Sequence, residues 1–322
     1  MKRAFLNILF FLLPLVILVF LIPIDRRQRF IQLKEDCSWH GIWFFDRVHH
    51  NDTPVDIMFF GSSRTINGIM DESIGKQLKM PAVRVVNFGY CRYGVNIYPV
   101  LLKEILRSKQ PKILFLEVRE DENRYSHPVF PYIADASDIF LATPFFNRDL
   151  VRDYFNSFLF RLQLIKVQYF KKDSIVPFRN DNFGFMGSGD TASKVFLEKV
   201  KLEHMKPRAG LGPLERYFYM TYSRIYLKKL SELCIENNIR LKFLYIPGYG
   251  SNEKAPLEMM TYQKYGDVLI PPHEIFADPD NWGDENHLNR AGAEKLSEWV
   301  ATCIRKEDVD LIPTIPPSKI SP

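Results

Sequence analysis

Two stretches of the chain, more than 200 residues apart, hold side chains able to run nucleophilic chemistry. The first is Ile57-Met58-Phe59-Phe60-Gly61-Ser62-Ser63-Arg64-Thr65, an apolar run that stops at a glycine and hands over to a serine pair. The second is Asn281-Trp282-Gly283-Asp284-Glu285-Asn286-His287-Leu288-Asn289, in which Asp284 and His287 stand three apart. One turn of chain at that spacing brings carboxylate and imidazole to the same side. A serine hydroxyl needs a base to take its proton, and the base needs a carboxylate to fix its tautomer and stabilise its charged form. Ser63, His287 and Asp284 supply those three roles. Each stretch by itself also fits an uneventful reading: Gly-Ser-Ser as a strand–turn, Asp-x-x-His as a solvated loop.

The elements that must position these groups are legible as runs. Ile57–Phe60 reads as a buried strand, and a turn at its carboxyl end is where ligands of open α/β sheets collect. Backbone N–H groups at the start of a following helix would favour an oxyanion. A second strand is expected at Val83–Asn87, a helix at Tyr98–Lys109 and a third strand at Ile113–Arg119, which together make a βαβ unit and a parallel sheet. A long helix over Leu214–Asn238, a fourth strand at Arg240–Ile246, a short fifth at Val268–Ile270 and a C-terminal helix from Ala291 to Ile304 follow. Between Arg119 and Pro213 the pattern breaks into an aromatic-rich stretch too long for a simple connection. Within it Leu150–Lys172 has apolar residues at helical spacing, either facing the core or forming a lid or a face for a bilayer or membrane partner. Gly184–Gly189 has no Lys-Ser/Thr after it, so it is not a phosphate loop; a loop at the pocket rim is the alternative.

Taken in this order, the two reactive stretches resemble the SGNH (GDSL-type) hydrolase superfamily. The match puts the nucleophile at Ser63, with Ser62 in the place of the family's aspartate, and Asp284 and His287 in its Asp-x-x-His block. Val85-Val86-Asn87-Phe88-Gly89 resembles the second block, which implies an oxyanion donor at the Gly89 N–H beside that of Ser63. The third block, Gly-x-Asn-Asp, is not matched: Ile113-Leu114-Phe115-Leu116-Glu117-Val118-Arg119 ends in charged residues without an asparagine. That departure is more similar to the membrane-anchored branch, which includes the D-alanyl transfer protein of teichoic-acid modification and alginate acetylation proteins. The resemblance implies an α/β fold, an SGNH-type (flavodoxin-like) three-layer parallel sheet sandwich, with an N-terminal transmembrane helix.

Residues 4–24 carry no charge and are almost wholly apolar, long enough to cross a hydrocarbon core of roughly 30 Å. The run is longer than a signal-peptide core, and Leu21-Ile22-Pro23-Ile24 offers no small-x-small cleavage site. The expected organisation is an anchor at 1–27, a juxtamembrane connector at 28–54, an SGNH-like domain at 55–305 with its insertion at about 119–213, and a Pro-rich tail at 306–322. With the short basic N-tail inside, the domain lies on the extracytoplasmic side of the cytoplasmic membrane, held by a single pass. The net charge of +5 is spread thinly with no basic run of five, so nucleic acid is not an expected partner. No metal or nucleotide motif is present, His49-His50 lacks a partner cluster, and no cofactor is expected. Cys37, Cys91, Cys234 and Cys303 show no C-x-x-C; Cys91 reads as a buried inert thiol and disulfides are allowed but not implied.

The resulting expectation is a serine acyl-transfer enzyme that acylates or deacylates a cell-envelope polysaccharide through an acyl-Ser63 intermediate. Arg64 and Asn87 are candidate substrate-binding residues, Arg64 being equally suited to a structural salt bridge. The acceptor partner is an envelope glycan, and the resemblance implies a membrane-bound O-acyltransferase as the acyl-delivering partner. Two other readings stand: a catalytically silent scaffold that keeps the fold, and a general esterase or lipase.

Overall fold

The apolar runs pair as five parallel strands, β1 (Ile57–Phe60), β2 (Val85–Asn87), β3 (Ile113–Val118), β4 (Arg240–Tyr245) and β5 (Asp267–Leu269), in the order β2-β1-β3-β4-β5. The computed structural model describes residues 13–14, 16–33, 38–81, 84–122, 124–140, 146–170, 177–178, 181–204 and 212–307. The register is continuous through the centre of the sheet: Ile57 lies beside Val85 and Ile113, and Leu116 lies beside Phe60 and Phe243. β1, β2 and β3 are buried along their whole length, as parallel strands covered on both faces must be. The connection reverses direction between β1 and β3, which opens a crevice at their carboxyl ends.

The helices in chain order are α1 (Arg26–Ile31), α2 (Ser38–His49), α3 (Ser63–Gly68), α4 (Asp71–Gln77), α5 (Ile97–Leu106), α6 (Phe130–Ile133), α7 (Ala136–Phe140), α8 (Leu150–Phe170), α9 (Lys194–His204), α10 (Pro213–Glu236), α11 (Met259–Tyr262), α12 (His273–Ala277) and α13 (Arg290–Glu307). Alternation along the strands assigns them to two layers. Met58, Phe60, Leu114, Leu116 and Phe243 pack with Phe44 of α2, Leu101 of α5 and Leu230 of α10. Ile57, Phe59, Ile113, Phe115 and Leu244 pack with Ile74 of α4, Phe276 of α12 and Leu296 and Val300 of α13. The result is an α/β sandwich with the parallel sheet between two helical layers.

Two expectations change here. The stretch expected as a juxtamembrane connector, whose Trp43, Phe44 and Phe45 could sit at the interface or cap the domain, forms α1 and α2, and Phe30, Leu33, Trp43, Phe44 and Val48 are buried in the first layer. Their apolar surface is worth more inside the core than at an interface. Cys91 is disulfide-bonded, not an inert thiol, whereas Cys234 and Cys303 are free; pairing cannot be read from cysteine spacing alone. No helix among the described residues is long and apolar enough to cross a membrane. Of the expected anchor, residues 1–12 and 15 lie outside the described residues, as does most of the Pro-rich tail; residues 13–14 and 16–21 are helical.

Candidate active site

The nucleophile turn is built by close approach. β1 ends at Phe60, and a Cβ on Gly61 would overlap the Thr65 hydroxyl and the Glu117 side chain, so only glycine admits the contact. Ser62 then caps α3, its Oγ accepting the Arg64 N–H at 3.0 Å. Below the turn sits Glu117, an acid inside the apolar strand β3 and only 2% exposed. Its carboxylate accepts from Ser62 N (2.8 Å), Ser62 Oγ (2.8 Å), Thr65 N (3.0 Å), Thr65 Oγ1 (2.6 Å) and Arg119 Nε (2.7 Å). Arg119 also donates to Ser62 Oγ. Burial alone would push the Glu117 carboxyl up, but Arg119 and the Thr65 hydroxyl reverse this and hold it below the usual carboxylate range. Ser63 is the first residue of α3, and no hydrogen bond among the described residues engages its N–H.

The candidate base, His287, comes from the loop before α13. Asp284 Oδ1 accepts the N–H groups of Asn286 (2.7 Å) and His287 (2.9 Å), while Oδ2 accepts His287 Nδ1–H at 2.7 Å. With Nδ1 carrying that proton, Nε2 is free to accept, and Ser63 Oγ lies 2.8 Å from it. Partial burial raises the Asp284 carboxyl, but its bonds from His287 and Asn286 outweigh that and leave it below the usual value. Asp284 and His287 are both half-buried, so the pair opens to solvent. The loop is stiff because Trp282, fully buried, donates Nε1–H to Phe276 O, and Asn289 Nδ2 donates to Asp280 O.

Arg64 joins the two halves. It pairs with Glu120 (2.8 Å) and donates to Ile246 O (3.0 Å) and Asn286 Oδ1 (3.1 Å), so one guanidinium ties α3, the ends of β3 and β4, and the histidine loop. Glu120, held below the usual range by Arg64 against its burial, also accepts the Gly248 N–H. The segment from Gly184 to Ser188 crosses beside α3: Gly184 N–H donates to Asp71 Oδ2 (2.8 Å), Met186 N–H to Ile66 O, and Arg290 N–H returns to Ser188 O. Asp71 is fully buried, and burial pushes its carboxyl up to about 6 despite the Gly184 and Asn87 N–H bonds.

Ser63, His287 and Asp284 are thus brought together as their spacing suggested, and Gly89, Asn87 and Arg64 are occupied otherwise. The Gly89 N–H donates to Asn87 Oδ1 at 3.0 Å, so it is not free to meet an oxyanion. Asn87 is fully buried, with Nδ2 donating to Thr65 O (2.7 Å) and Ile69 O (2.8 Å); none of its side-chain polar atoms reaches a substrate. Arg64 makes the structural salt bridge that was its other reading. Glu117, Arg119, Glu120 and Asp71 were missed. The signal for Glu117 was present: a carboxylate in the middle of an apolar strand must find buried donors. His49 contacts Glu104 Oε1 and Ser108 Oγ, a structural role, and no group of three metal-ligating side chains exists among the described residues. The arrangement can activate a hydroxyl for attack on a carbonyl and return the proton to a leaving group. No protein-family model matches the chain, and no curated protein matches it.

Proposed function

We propose that this protein is a membrane-anchored serine acyl-transfer enzyme of SGNH type, acting on a cell-envelope polysaccharide outside the cytoplasmic membrane. The observation that carries the reading is the Ser63–His287–Asp284 relay, with 2.8 Å and 2.7 Å between its partners, at the carboxyl crevice beside β1. The strand order is the one found in flavodoxin-like sheets. The disulfide at Cys91 suits an oxidising, extracytoplasmic compartment, and the uncharged run 4–24 suits a single-pass anchor.

In the proposed reaction His287 Nε2 takes the Ser63 proton as Oγ attacks the acyl carbonyl. Asp284 holds the Nδ1–H and stabilises the imidazolium, and the Ser63 N–H faces the oxyanion. The intermediate collapses to acyl-Ser63, and His287 returns the proton to the departing oxygen of the donor. A sugar hydroxyl then gives its proton to His287 and takes the acyl group, and His287 passes that proton to the departing Ser63 Oγ; water in place of the sugar gives hydrolysis. A membrane-bound O-acyltransferase would deliver the acyl group. A cleft of about 180 Å³ beside the β4 end, lined in part by Lys201, Asn252, Lys254 and His273, offers polar groups to a glycan chain.

The test is intact-mass detection of an acyl adduct after exposure to p-nitrophenyl acetate, comparing the wild type with Ser63→Ala. An adduct on the wild type alone supports the reading, and no adduct on either sinks it. One observation favours a silent scaffold instead: the Gly89 N–H is engaged and the β3 end has no asparagine, leaving the Ser63 N–H as the free donor of the expected pair. Under that reading Ser63→Ala leaves the acyl content of the glycan unchanged, while deletion of the chain abolishes it.

A further inference from the structure

Helix α8 has one face in the core and one with nothing against it among the described residues. Phe160, Leu164 and Val167 are buried. On the other side Val151, Phe155, Leu159, Leu162, Tyr169 and Phe170 are exposed, Phe155 by 61% and Phe170 by 81%. The exposed positions between them are Arg152 and Lys166, and no acid of α8 is exposed. Apolar residues in steps of three and four, flanked by cations and free of anions, are the pattern of a helix that lies in a membrane interface.

A second observation says what covers it. The uncharged N-terminal run leaves the domain alongside this helix. Arg161 of α8 donates to Val19 O (2.8 Å), Phe20 O (2.9 Å) and Ile22 O (2.5 Å), and Tyr169 Oη–H donates to Pro23 O (2.9 Å). The Phe20 ring meets Phe140 edge-on at 5.0 Å and lies 6.5 Å from Phe158. Phe158 lies beside Leu162 at the edge of the exposed stripe on the helical wheel, so the N-terminal run docks next to that stripe. That run itself exposes Leu13, Ile17, Leu18 and Leu21. Apolar side chains of the anchor and of α8 therefore border one another.

We propose that the outer face of α8 rests on the lipid bilayer, so that the domain lies on the membrane in one orientation and does not swing on its anchor. The inference rests on the anchored reading above and goes further: residues 19–23, pinned to the second half of α8, set that helix at the level where the anchor leaves the lipid. Because α8 belongs to the layer on one face of the sheet and α13 to the other, the sheet stands between the bilayer and the helix that follows His287. Cations on the stripe fit anionic headgroups.

The experiment uses the full chain in vesicles of phosphatidylcholine and phosphatidylglycerol, with a fluorophore at Phe155→Cys, Leu162→Cys, Leu18→Cys or Glu298→Cys in a Cys303→Ser background. Quenchers are either acyl-chain nitroxides or aqueous iodide. The labels at 155 and 162 are expected to lose most of their emission to the lipid quencher, and the label at 298 on α13 to lose it to iodide. Labels at 155 and 162 quenched by iodide alone overturn the proposal. Labels shielded from both quenchers also overturn it, in favour of a protein covering the stripe. If the label at 18 is untouched by lipid, the anchor reading fails instead; if it is reached and 155 is not, only the α8 inference falls.

Discussion

Replacing Glu117 by glutamine tests whether this carboxylate holds the nucleophile turn. Its two oxygens accept from five donor groups, two of them backbone N–H groups that cannot turn away, those of Ser62 and Thr65. Glutamine must place an NH2 either against those two donors or against Arg119. The cheaper choice keeps the amide oxygen on the backbone pair and faces Arg119 with a donor, leaving a mostly buried guanidinium without its anion. Breaking a buried pair from one side costs about 3–5 kcal/mol, a large share of the roughly 5–15 kcal/mol that holds a domain together. Urea unfolding of Glu117→Gln should show that loss. The rate of acyl-adduct formation per folded molecule should fall with it, because Ser63 is positioned by the turn. The pH dependence carries an independent sign. A carboxyl whose folded value is depressed contributes stability that is present above its unfolded value of about 4.3 and is lost as pH falls through the folded value. Wild type should therefore lose this contribution below about pH 4, and Glu117→Gln should not have it to lose. A variant within about 1 kcal/mol of wild type, with unchanged acylation and an unchanged acid limb, would refute the assignment.

Three further outcomes follow from the same geometry. Asp284→Asn cannot accept the His287 Nδ1–H and the two backbone N–H groups in the same way, so single-turnover acylation should fall by about 10²–10⁴-fold, with unfolding nearly unchanged because Asp284 is half exposed. Arg64→Ala should cost about 2–4 kcal/mol in urea unfolding and slow acylation, since it removes the Glu120 pair and the tie to Asn286; unchanged stability with a raised KM for glycan would instead make Arg64 an acceptor-binding residue. Asp71 has its folded value raised to about 6, so its ionised form is the penalised one and its contribution to stability declines as pH rises from about 4 through about 6. Asp71→Asn should flatten that part of the stability–pH curve, and an unchanged slope would refute the assignment.

What the sequence disclosed was whatever rests on runs and short-range spacing. Ile57–Phe60, Ile113–Val118 and Arg240–Tyr245 are apolar runs closed by turns, and all three are central strands. Asp284 and His287 meet because three residues make one turn, and Ser63 follows from its place after a strand. Backbone and side-chain polarity were less legible. Nothing in Asn87-Phe88-Gly89 shows that the asparagine oxygen folds back onto the glycine N–H two residues on. The residues from Arg26 to His49 read as a connector because they follow an apolar run, yet Trp43 and Phe44 fill space beside Phe88, a contact 44 residues away in the chain. Glu117 and Arg119 looked like a departure from a motif when viewed along the strand; in three dimensions they brace the turn that holds Ser63.

The engaged Gly89 N–H bears on the choice between hydrolysis and transfer. Freeing it would mean moving Asn87 Oδ1, whose amide is fixed by bonds to Thr65 O and Ile69 O. Glu117 also takes up the Thr65 N–H at the start of α3, so the short helix adds little positive field. In the proposed reaction, one oxyanion donor fewer would slow each acyl transfer step by about 10²–10³-fold, for water and for a sugar hydroxyl alike. The acceptor that wins is then the one that is held in place, because orientation beside the reacting carbon is equivalent to an effective concentration of about 10⁵ M or more. An acyl-Ser63 formed from p-nitrophenyl acetate should therefore persist in buffer on the timescale of an intact-mass time course, and should clear faster when a neutral or acidic oligosaccharide is added. A wild-type adduct that decays equally fast with and without glycan would assign the chain to general esterases and remove the argument for an acceptor site.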